Sequence, residues 1–146
     1  MTIDNSNIKI TFPKDFVLAI EAREHRFLAD YPVESGGSNL APSPWELFLS
    51  SLTACQAVNL LKYCRAHDIP YDEVEVELEP KMTDIKHGKE SEFRLAVKLP
   101  ADFPKEHIEP MVASFMDCPV GNQLTENQPW LSTYVNGKLI QEKRSE

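Results

Sequence analysis

Residues 44–69 read PWELFLSSLTACQAVNLLKYCRAHDI, and this stretch decides the fold. It contains no glycine and no proline after Pro44, and residues 47–61 are apolar or small on nearly every face of a helix. A surface helix would carry a polar stripe there, so the pattern predicts a long helix that is buried on most sides. At 1.5 Å per residue, such a helix is about 36 Å long, roughly the width of a small domain.

The start of this helix is marked by several signals at once. Ser43 suits the N-cap, Pro44 suits the first helical position, and Glu46 stands three residues after Ser43. This S-x-x-E arrangement predicts a capping box, in which the serine and the glutamate each bond the other's backbone N–H group. A capping role explains Glu46 without any catalysis.

The rest of the chain predicts strands and a second, shorter helix. The predicted strands are IKITF (8–12), FVLAIEA (16–22), HRFLADYP (25–32), EVEVELE (73–79) and FRLAVKL (93–99), with a turn at 81–90 and a C-terminal hairpin around Asn136-Gly137. A helix is expected over residues 104–116, with Pro110 kinking it or opening its main part. This order predicts one α+β domain over residues 1–146, with mostly antiparallel strands.

The composition and charge of the chain disfavour several classes of partner. The net charge of -8 disfavours nucleic acids and anionic membranes as partners, because both require concentrated Lys and Arg. No apolar run reaches the roughly 18 residues of a membrane helix. The first residues lack a basic stretch followed by an apolar one, so we expect no signal peptide and a cytoplasmic protein.

Three cysteines and four scattered histidines limit the possible chemistry. In a reducing cytoplasm an odd cysteine count without C-x-x-C argues against a disulfide framework. The histidines, at positions 25, 67, 87 and 107, are too dispersed to predict a metal site. The cysteines are therefore either buried packing or redox groups.

Cys118 precedes Pro119, which favours the first position of a helix, so Cys118 is predicted to be an N-cap. Backbone N–H groups and the helix dipole there would lower the pKa of the thiol. The alternative is a small buried residue in a tight turn. Cys64 lies half a turn round the long helix from Cys55 and is predicted to be structural.

Cys55 lies mid-helix, where packing is the ordinary role of a cysteine. It becomes functional only if the fold brings Cys118 to its face. That face includes Phe48, Ser51 and Leu52, and its apolar character suits a confined pocket for an apolar substrate.

Two separate segments resemble the signatures of the OsmC-like family. They are SGGSNLAPSPWELFLSSLTAC (35–55) and DCPVGNQL (117–124), and the resemblance extends over residues 26–125 and is nearest to the YhfA-like branch. It implies the OsmC-like fold, with antiparallel sheets wrapped around long central helices in an intertwined homodimer. The active sites would lie at the dimer interface.

The resemblance to the peroxidase members, OsmC and Ohr, implies a reaction without a cofactor. Cys55 would attack the O–O bond of an organic hydroperoxide and become a sulfenic acid, and Cys118 would condense with it to a disulfide. An external dithiol would then reduce that disulfide. Preference for a small apolar hydroperoxide fits the apolar Cys55 face.

The sequence departs from the peroxidase pattern at two places. Where those members carry a glutamate that orients an arginine, ten residues before the first cysteine, this chain has Trp45. Where they carry that arginine, about forty residues before the cysteine, this chain has Pro13 and Lys14. A thiolate in an apolar pocket needs a positive neighbour, and the candidates here are Lys14, Arg23 and Arg26. Two alternatives therefore stay open: a non-catalytic dimer that binds a small apolar ligand or senses redox state, and thiol transfer on the same fold.

Overall fold

The computed structural model describes residues 7–81, 92–125 and 130–144. Nearly all of the turn predicted at residues 81–90 lies outside these ranges. The chain divides into two compact units, residues 1–50 and residues 51–146. The single domain over the whole chain stays a prediction.

A three-stranded antiparallel sheet opens the first unit. Its strands β1 (Ile8–Lys14), β2 (Val17–Ala22) and β3 (His25–Ala29) pair in chain order, which confirms the three predicted strands. Every residue of β1 is exposed. The buried apolar side chains of this sheet are Val17, Ile20 and Ala29.

One buried carboxylate organises the loop after β3. Asp30 is 1% exposed and accepts hydrogen bonds from the backbone N–H groups of Tyr31, Ser38 and Leu40, at 2.7, 3.0 and 3.1 Å. Burial raises the pKa of Asp30, but the three N–H donors lower it, and the net pKa is below its usual value. Residue 37 has to be glycine, because a Cβ atom there would collide with the carbonyl oxygen of Tyr31.

The long helix α1 (Pro44–Ala66) begins with the predicted capping box. Ser43 Oγ accepts the backbone N–H of Glu46 at 3.3 Å. In return, Glu46 Oε2 accepts the backbone N–H and the hydroxyl of Ser43 at 2.7 and 2.8 Å. These two bonds lower the pKa of the Glu46 carboxyl. The helix ends three residues earlier than predicted, close to Asp68, whose φ of 54° is left-handed.

Burial of α1 is only partial. Its buried side chains are Leu52, Asn59, Leu60 and Cys64. Val58 is 40% exposed. The prediction of a helix buried on most sides is therefore not met among residues 7–81, 92–125 and 130–144, which leave part of the apolar surface of α1 exposed.

The core of the second unit forms around the C-terminal half of α1. Leu60 and Cys64 pack with Ile69, Phe103 and Met111, and both Cys64 and Met111 are fully buried. Burial also raises the pKa of the Cys64 thiol. These contacts confirm the prediction that Cys64 is structural.

Two antiparallel hairpins belong to the second unit. Exposed and half-buried residues alternate along β4 (Glu75–Lys81) and its partner β5 (Glu92–Lys98), as the sequence pattern predicts. β6 (Trp130–Val135) and β7 (Lys138–Arg144) are joined by Asn136-Gly137, whose φ angles of 49° and 78° suit a type I′ turn. The described elements therefore give the predicted α+β class with antiparallel sheets.

The helix predicted over residues 104–116 is broken into three pieces. A short helix, α2 (Ile108–Ala113), is flanked by 3₁₀ turns at Lys105–His107 and Ser114–Asp117. Pro110 lies in the first turn of α2, where its missing N–H costs no intrahelical hydrogen bond. It therefore opens the helix and does not kink it.

Candidate functional site

Two cysteine thiols meet in the second unit. Cys55 lies in α1 and is half-buried, whereas Cys118 is 1% exposed and directly precedes the helix α3 (Pro119–Thr125). Their side chains are hydrogen-bonded to each other, and both are free thiols. The fold therefore brings Cys118 to Cys55, which was the requirement for a functional role of Cys55.

Cys118 occupies the N-cap position of α3, as the Cys-Pro pair predicts. Its Sγ accepts the backbone N–H of Gly121 at 3.1 Å, the bond that an N-cap side chain makes to the first turn of its helix. A Cβ atom at Gly121 would lie 3.3 Å from Cys118 Sγ and 3.4 Å from Nε2 of Gln56. The glycine thus leaves room for the sulfur between the two helices.

The pKa of the Cys118 thiol is raised. Burial is the largest cause, and the hydrogen bond with Cys55 raises the pKa further, while the N–H groups of Gly121 and Val120 lower it. The expectation of a pKa lowered by the helix N-terminus is therefore wrong. Removing a thiolate from water costs more than the N–H groups of this one short helix recover.

An apolar cavity of about 630 Å³ opens beside Cys118. Gln56 and Gly121 share its wall with the Cys118 side chain. The apolar part of the wall consists of Leu52, Leu78, Phe93, Leu95, Phe115, Met116 and Leu124. This volume lies within the range of small-molecule sites, so the cavity accommodates a small apolar molecule next to a thiol.

The three predicted pocket residues differ in their placement. Leu52 lines the cavity. Ser51 is exposed, and Phe48 belongs to the first unit, where its ring stacks on that of Trp45 with the centroids 5.3 Å apart. The cysteine in the cavity wall is Cys118.

Two amide side chains of α1 carry buried polar atoms. Oε1 of Gln56 and Nδ2 of Asn59 find no hydrogen-bond partner within residues 7–81, 92–125 and 130–144. Gln56 directly follows Cys55, and Asn59 lies one helical turn after it. Because buried polar atoms are nearly always hydrogen-bonded, each exception requires an explanation.

The sequence interpretation did not single out Gln56 or Gly121. Each had a feature that the sequence shows. Gln56 is a polar residue inside an apolar helix, and Gly121 is the residue whose N–H group is expected to donate to the Cys118 cap. Their importance depends on contacts between two helices that are far apart in the chain.

The three candidate cations lie in the first unit. The Lys14 ammonium is 3.8 Å from the Asp15 carboxylate. Arg26, on β3, forms an ion pair with Glu21 at 2.7 Å, and its side chain is 81% exposed. Arg23 lies in the turn between β2 and β3 with a φ of 55°. Lys14 and Arg26 therefore already face carboxylates of their own unit.

Metal ligands do not accumulate in the described part of the chain. None of its His, Cys, Asp and Glu side chains form a group of three or more that could hold a metal ion. The rings of His67 and His107 approach to 4.9 Å between centroids, but two imidazoles are fewer than the four ligands of a structural zinc site. Across the described ranges, no helix is both long and apolar enough to cross a membrane.

The family described as OsmC-like protein matches residues 36–133 of this sequence. The matched segment is more than half of the chain and contains α1, Cys55 and Cys118. The chain belongs to the OsmC-like family, and the resemblance inferred from the two signatures is confirmed. No curated protein matches the sequence.

Solved structures share the fold at low sequence identity. An OsmC-like protein from Mycoplasma pneumoniae has a TM-score of 0.68 at 16% identity, over 86% of this chain and 90% of its own. A candidate osmotic stress induced and detoxification response protein from Psychrobacter arcticus has a TM-score of 0.68 at 17% identity, over 86% and 92%. An organic hydroperoxide resistance protein from Elizabethkingia anophelis has a TM-score of 0.57 at 22% identity, over 86% and 91%. At these identities the similarity establishes the fold.

Proposed function

We propose that this protein is a cysteine-dependent peroxidase that reduces organic hydroperoxides. The observation that carries the proposal is the hydrogen-bonded pair of Cys55 and Cys118 thiols beside an apolar cavity. The similarity in fold to an organic hydroperoxide resistance protein supports the same substrate class.

The reaction needs two thiols and two external reactants. The Cys55 thiolate attacks the terminal oxygen of the hydroperoxide, the O–O bond breaks, and the alkoxide leaves and takes a proton to become an alcohol. Cys118 then attacks the sulfur of the Cys55 sulfenic acid, forming the disulfide and releasing water. An external dithiol reduces the disulfide by exchange. No bound cofactor takes part.

The division of roles follows from the surroundings of the two thiols. Cys118 is almost completely buried and its pKa is raised, so it is a poor first nucleophile. It is well placed to resolve a sulfenic acid on Cys55, because the two side chains already share a hydrogen bond. We therefore assign the peroxidatic role to Cys55 and the resolving role to Cys118.

The cation that stabilises the Cys55 thiolate is proposed to be Arg23, Arg26 or Lys14. Replacing each by alanine should identify it, through slower alkylation of Cys55 by iodoacetamide at neutral pH. If none of the three variants alters the alkylation profile, the activating charge is not among these residues.

We also propose that the protein is an intertwined homodimer in the cytoplasm, and exposed apolar surface supports the dimer. On β1, which is exposed throughout, Ile8 is 61% and Phe12 78% exposed. Large apolar side chains exposed along one strand are typical of a surface for protein–protein contact. Sedimentation equilibrium at low micromolar concentration should give a dimer, and a folded monomer would contradict this assembly.

A non-catalytic dimer that binds a small apolar ligand or senses redox state is the second candidate. The observation in its favour is the packing of Trp45, which stands where the peroxidases carry a glutamate and stacks on Phe48. Such a protein would bind apolar ligands in the cavity and turn over no peroxide.

The deciding experiment compares cumene hydroperoxide with hydrogen peroxide under a dithiol reductant. Wild type should prefer the organic peroxide, Cys55→Ser should lose turnover, and Cys118→Ser should accumulate over-oxidised Cys55. Cys64→Ser is the matched control, because Cys64 is the third thiol and lies in the core. Full activity in Cys55→Ser would overturn the proposal, and an inactive wild type would favour the ligand-binding alternative.

A further inference from the structure

The cavity wall contains one acceptor that the described residues leave unsatisfied. Oε1 of Gln56 is buried and receives no hydrogen bond from residues 7–81, 92–125 or 130–144, although Gln56 lines the cavity. An unpaired buried acceptor is unfavourable, and a ligand that brings a donor removes that cost.

Gln56 is also held close to the reactive sulfurs. Its Nε2 and the Sγ of Cys118 both lie within 3.4 Å of one point, the place where a Cβ of Gly121 would stand. Gln56 also directly follows Cys55 in α1. The amide therefore lies beside the Cys118 sulfur at the cavity wall.

We infer that Gln56 is a specificity-determining residue, whose side-chain oxygen accepts a hydrogen bond from an O–H group on the ligand in the cavity. The terminal torsion of glutamine is broad and roughly two-fold, so the amide turns its oxygen toward the ligand without leaving a rotamer well. The rest of the wall is largely apolar and takes the hydrocarbon part.

The chemistry of the ligand follows from this acceptor. A hydroperoxide and the alcohol formed from it each carry one O–H donor, whereas an ether or a dialkyl peroxide carries none. Gln56 would thus select hydroperoxides by their terminal O–H and hold the oxygen that the thiolate attacks. The role of Gln56 in holding the attacked oxygen rests on the proposed function. Its preference for ligands with an O–H donor does not require turnover.

The binding test uses two probes with the same cumyl group, cumyl alcohol and cumyl methyl ether. Backbone amide shifts of the reduced protein follow each titration. Wild type should bind the alcohol about fivefold to tenfold more tightly than the ether, the value of one neutral hydrogen bond. Gln56→Met, which keeps the length and removes the amide, should bind both equally, and Gln56→Glu, which keeps an acceptor, should retain the preference.

Gln123→Met is the matched control, because Gln123 is an exposed glutamine on α3. It should behave as wild type. A wild type without preference for the alcohol, or a Gln56→Met variant that keeps the preference, overturns the inference.

The kinetic test separates recognition from support of the fold. A bond made equally in the bound substrate and the transition state affects KM and leaves kcat unchanged. Gln56→Met should therefore raise KM for cumene hydroperoxide about fivefold to tenfold at constant kcat. A fall in kcat at constant KM would assign Gln56 to positioning the thiols and reject recognition. An inactive wild type that still prefers the alcohol would reject the peroxidase and retain the O–H selection.

Discussion

The helices α1 and α3 begin in the same way but with different cap atoms. In each, a side chain just before a proline accepts the backbone N–H of the residue three positions later. Ser43 Oγ receives the Glu46 N–H at 3.3 Å, and Cys118 Sγ receives the Gly121 N–H at 3.1 Å. The first cap uses oxygen and the second uses sulfur.

The residue that donates to the cap decides what the cap can do. At α1 this residue is Glu46, whose carboxylate bonds back to Ser43 and completes a reciprocal pair. At α3 it is Gly121, which has no side chain to bond back to the cap, so the sulfur stays within reach of a neighbouring helix. The same local motif therefore fixes a helix end in one place and leaves a thiol in contact with a second thiol in the other.

The largest expected effect comes from adding a Cβ at the second cap. In Gly121→Ala the new atom would lie 3.3 Å from Cys118 Sγ, tighter than ordinary packing. Overpacking costs about 1 to 3 kcal/mol, whereas glycine to alanine in a helix gains about 1 kcal/mol, so crowding should prevail. We expect a lower free energy of unfolding in urea denaturation. We also expect slower formation of the Cys55–Cys118 disulfide, which is measured as the loss of free thiols over time.

Gln123→Ala provides the control for Gly121→Ala, because it changes helix propensity at an exposed position of α3. It should leave disulfide formation unchanged. If Gly121→Ala forms the disulfide at the wild-type rate, the missing side chain is not what keeps the sulfur available.

The intermediate effect concerns the first cap. Ser43→Ala removes the oxygen that receives the Glu46 N–H and the hydroxyl that bonds the Glu46 carboxylate. Loss of such a cap costs about 1 kcal/mol of unfolding free energy. Urea denaturation should show this loss with the same dependence on denaturant, while peroxide turnover per folded molecule stays unchanged. A change in turnover would mean that the two caps are not separate in function.

Much of the fold could be predicted because its signals are local. The capping box at Ser43 and the Asn136-Gly137 turn each need only a few neighbouring residues. The break in the helix expected over residues 104–116 was less visible. There Ser114 Oγ donates to the carbonyl oxygen of Met111 at 2.6 Å, an alternative bond that competes with helix continuation.

The parts of the site that escaped prediction depend on distant contacts. Local sequence placed Cys118 at a helix N-terminus, but the direction of its pKa shift is set by burial and by Cys55, which lies in another helix. Asp30 escaped notice for a similar reason, since its donors include Ser38 and Leu40, eight and ten residues away. Neither arrangement follows from periodicity or spacing.

The smallest expected effects are changes in stability with pH. At acid pH, the change should come from the first cap. The pKa of Glu46 is lowered in the folded protein, so this carboxylate stabilises the fold above its unfolded pKa of about 4.3. That contribution is lost as the pH falls through the folded value. Glu46→Gln should flatten part of the decline in unfolding free energy below about pH 4. Glu34→Gln, which removes an exposed carboxylate, should leave the decline in place.

The second cap should respond to pH in the opposite direction. The pKa of Cys118 is raised, so the folded protein keeps the thiol protonated above the unfolded cysteine pKa of about 8.5, while the unfolded chain ionises. Stability should therefore fall as the pH rises beyond that value, and Cys118→Ser should remove part of the fall. Cys64, whose pKa burial also raises, contributes another part of the fall. The contrary result would be an alkaline decline that Cys118→Ser leaves unchanged and Cys64→Ser abolishes. In that case the second cap does not hold a protonated thiol, and the two caps differ only in their cap atoms and not in their response to pH.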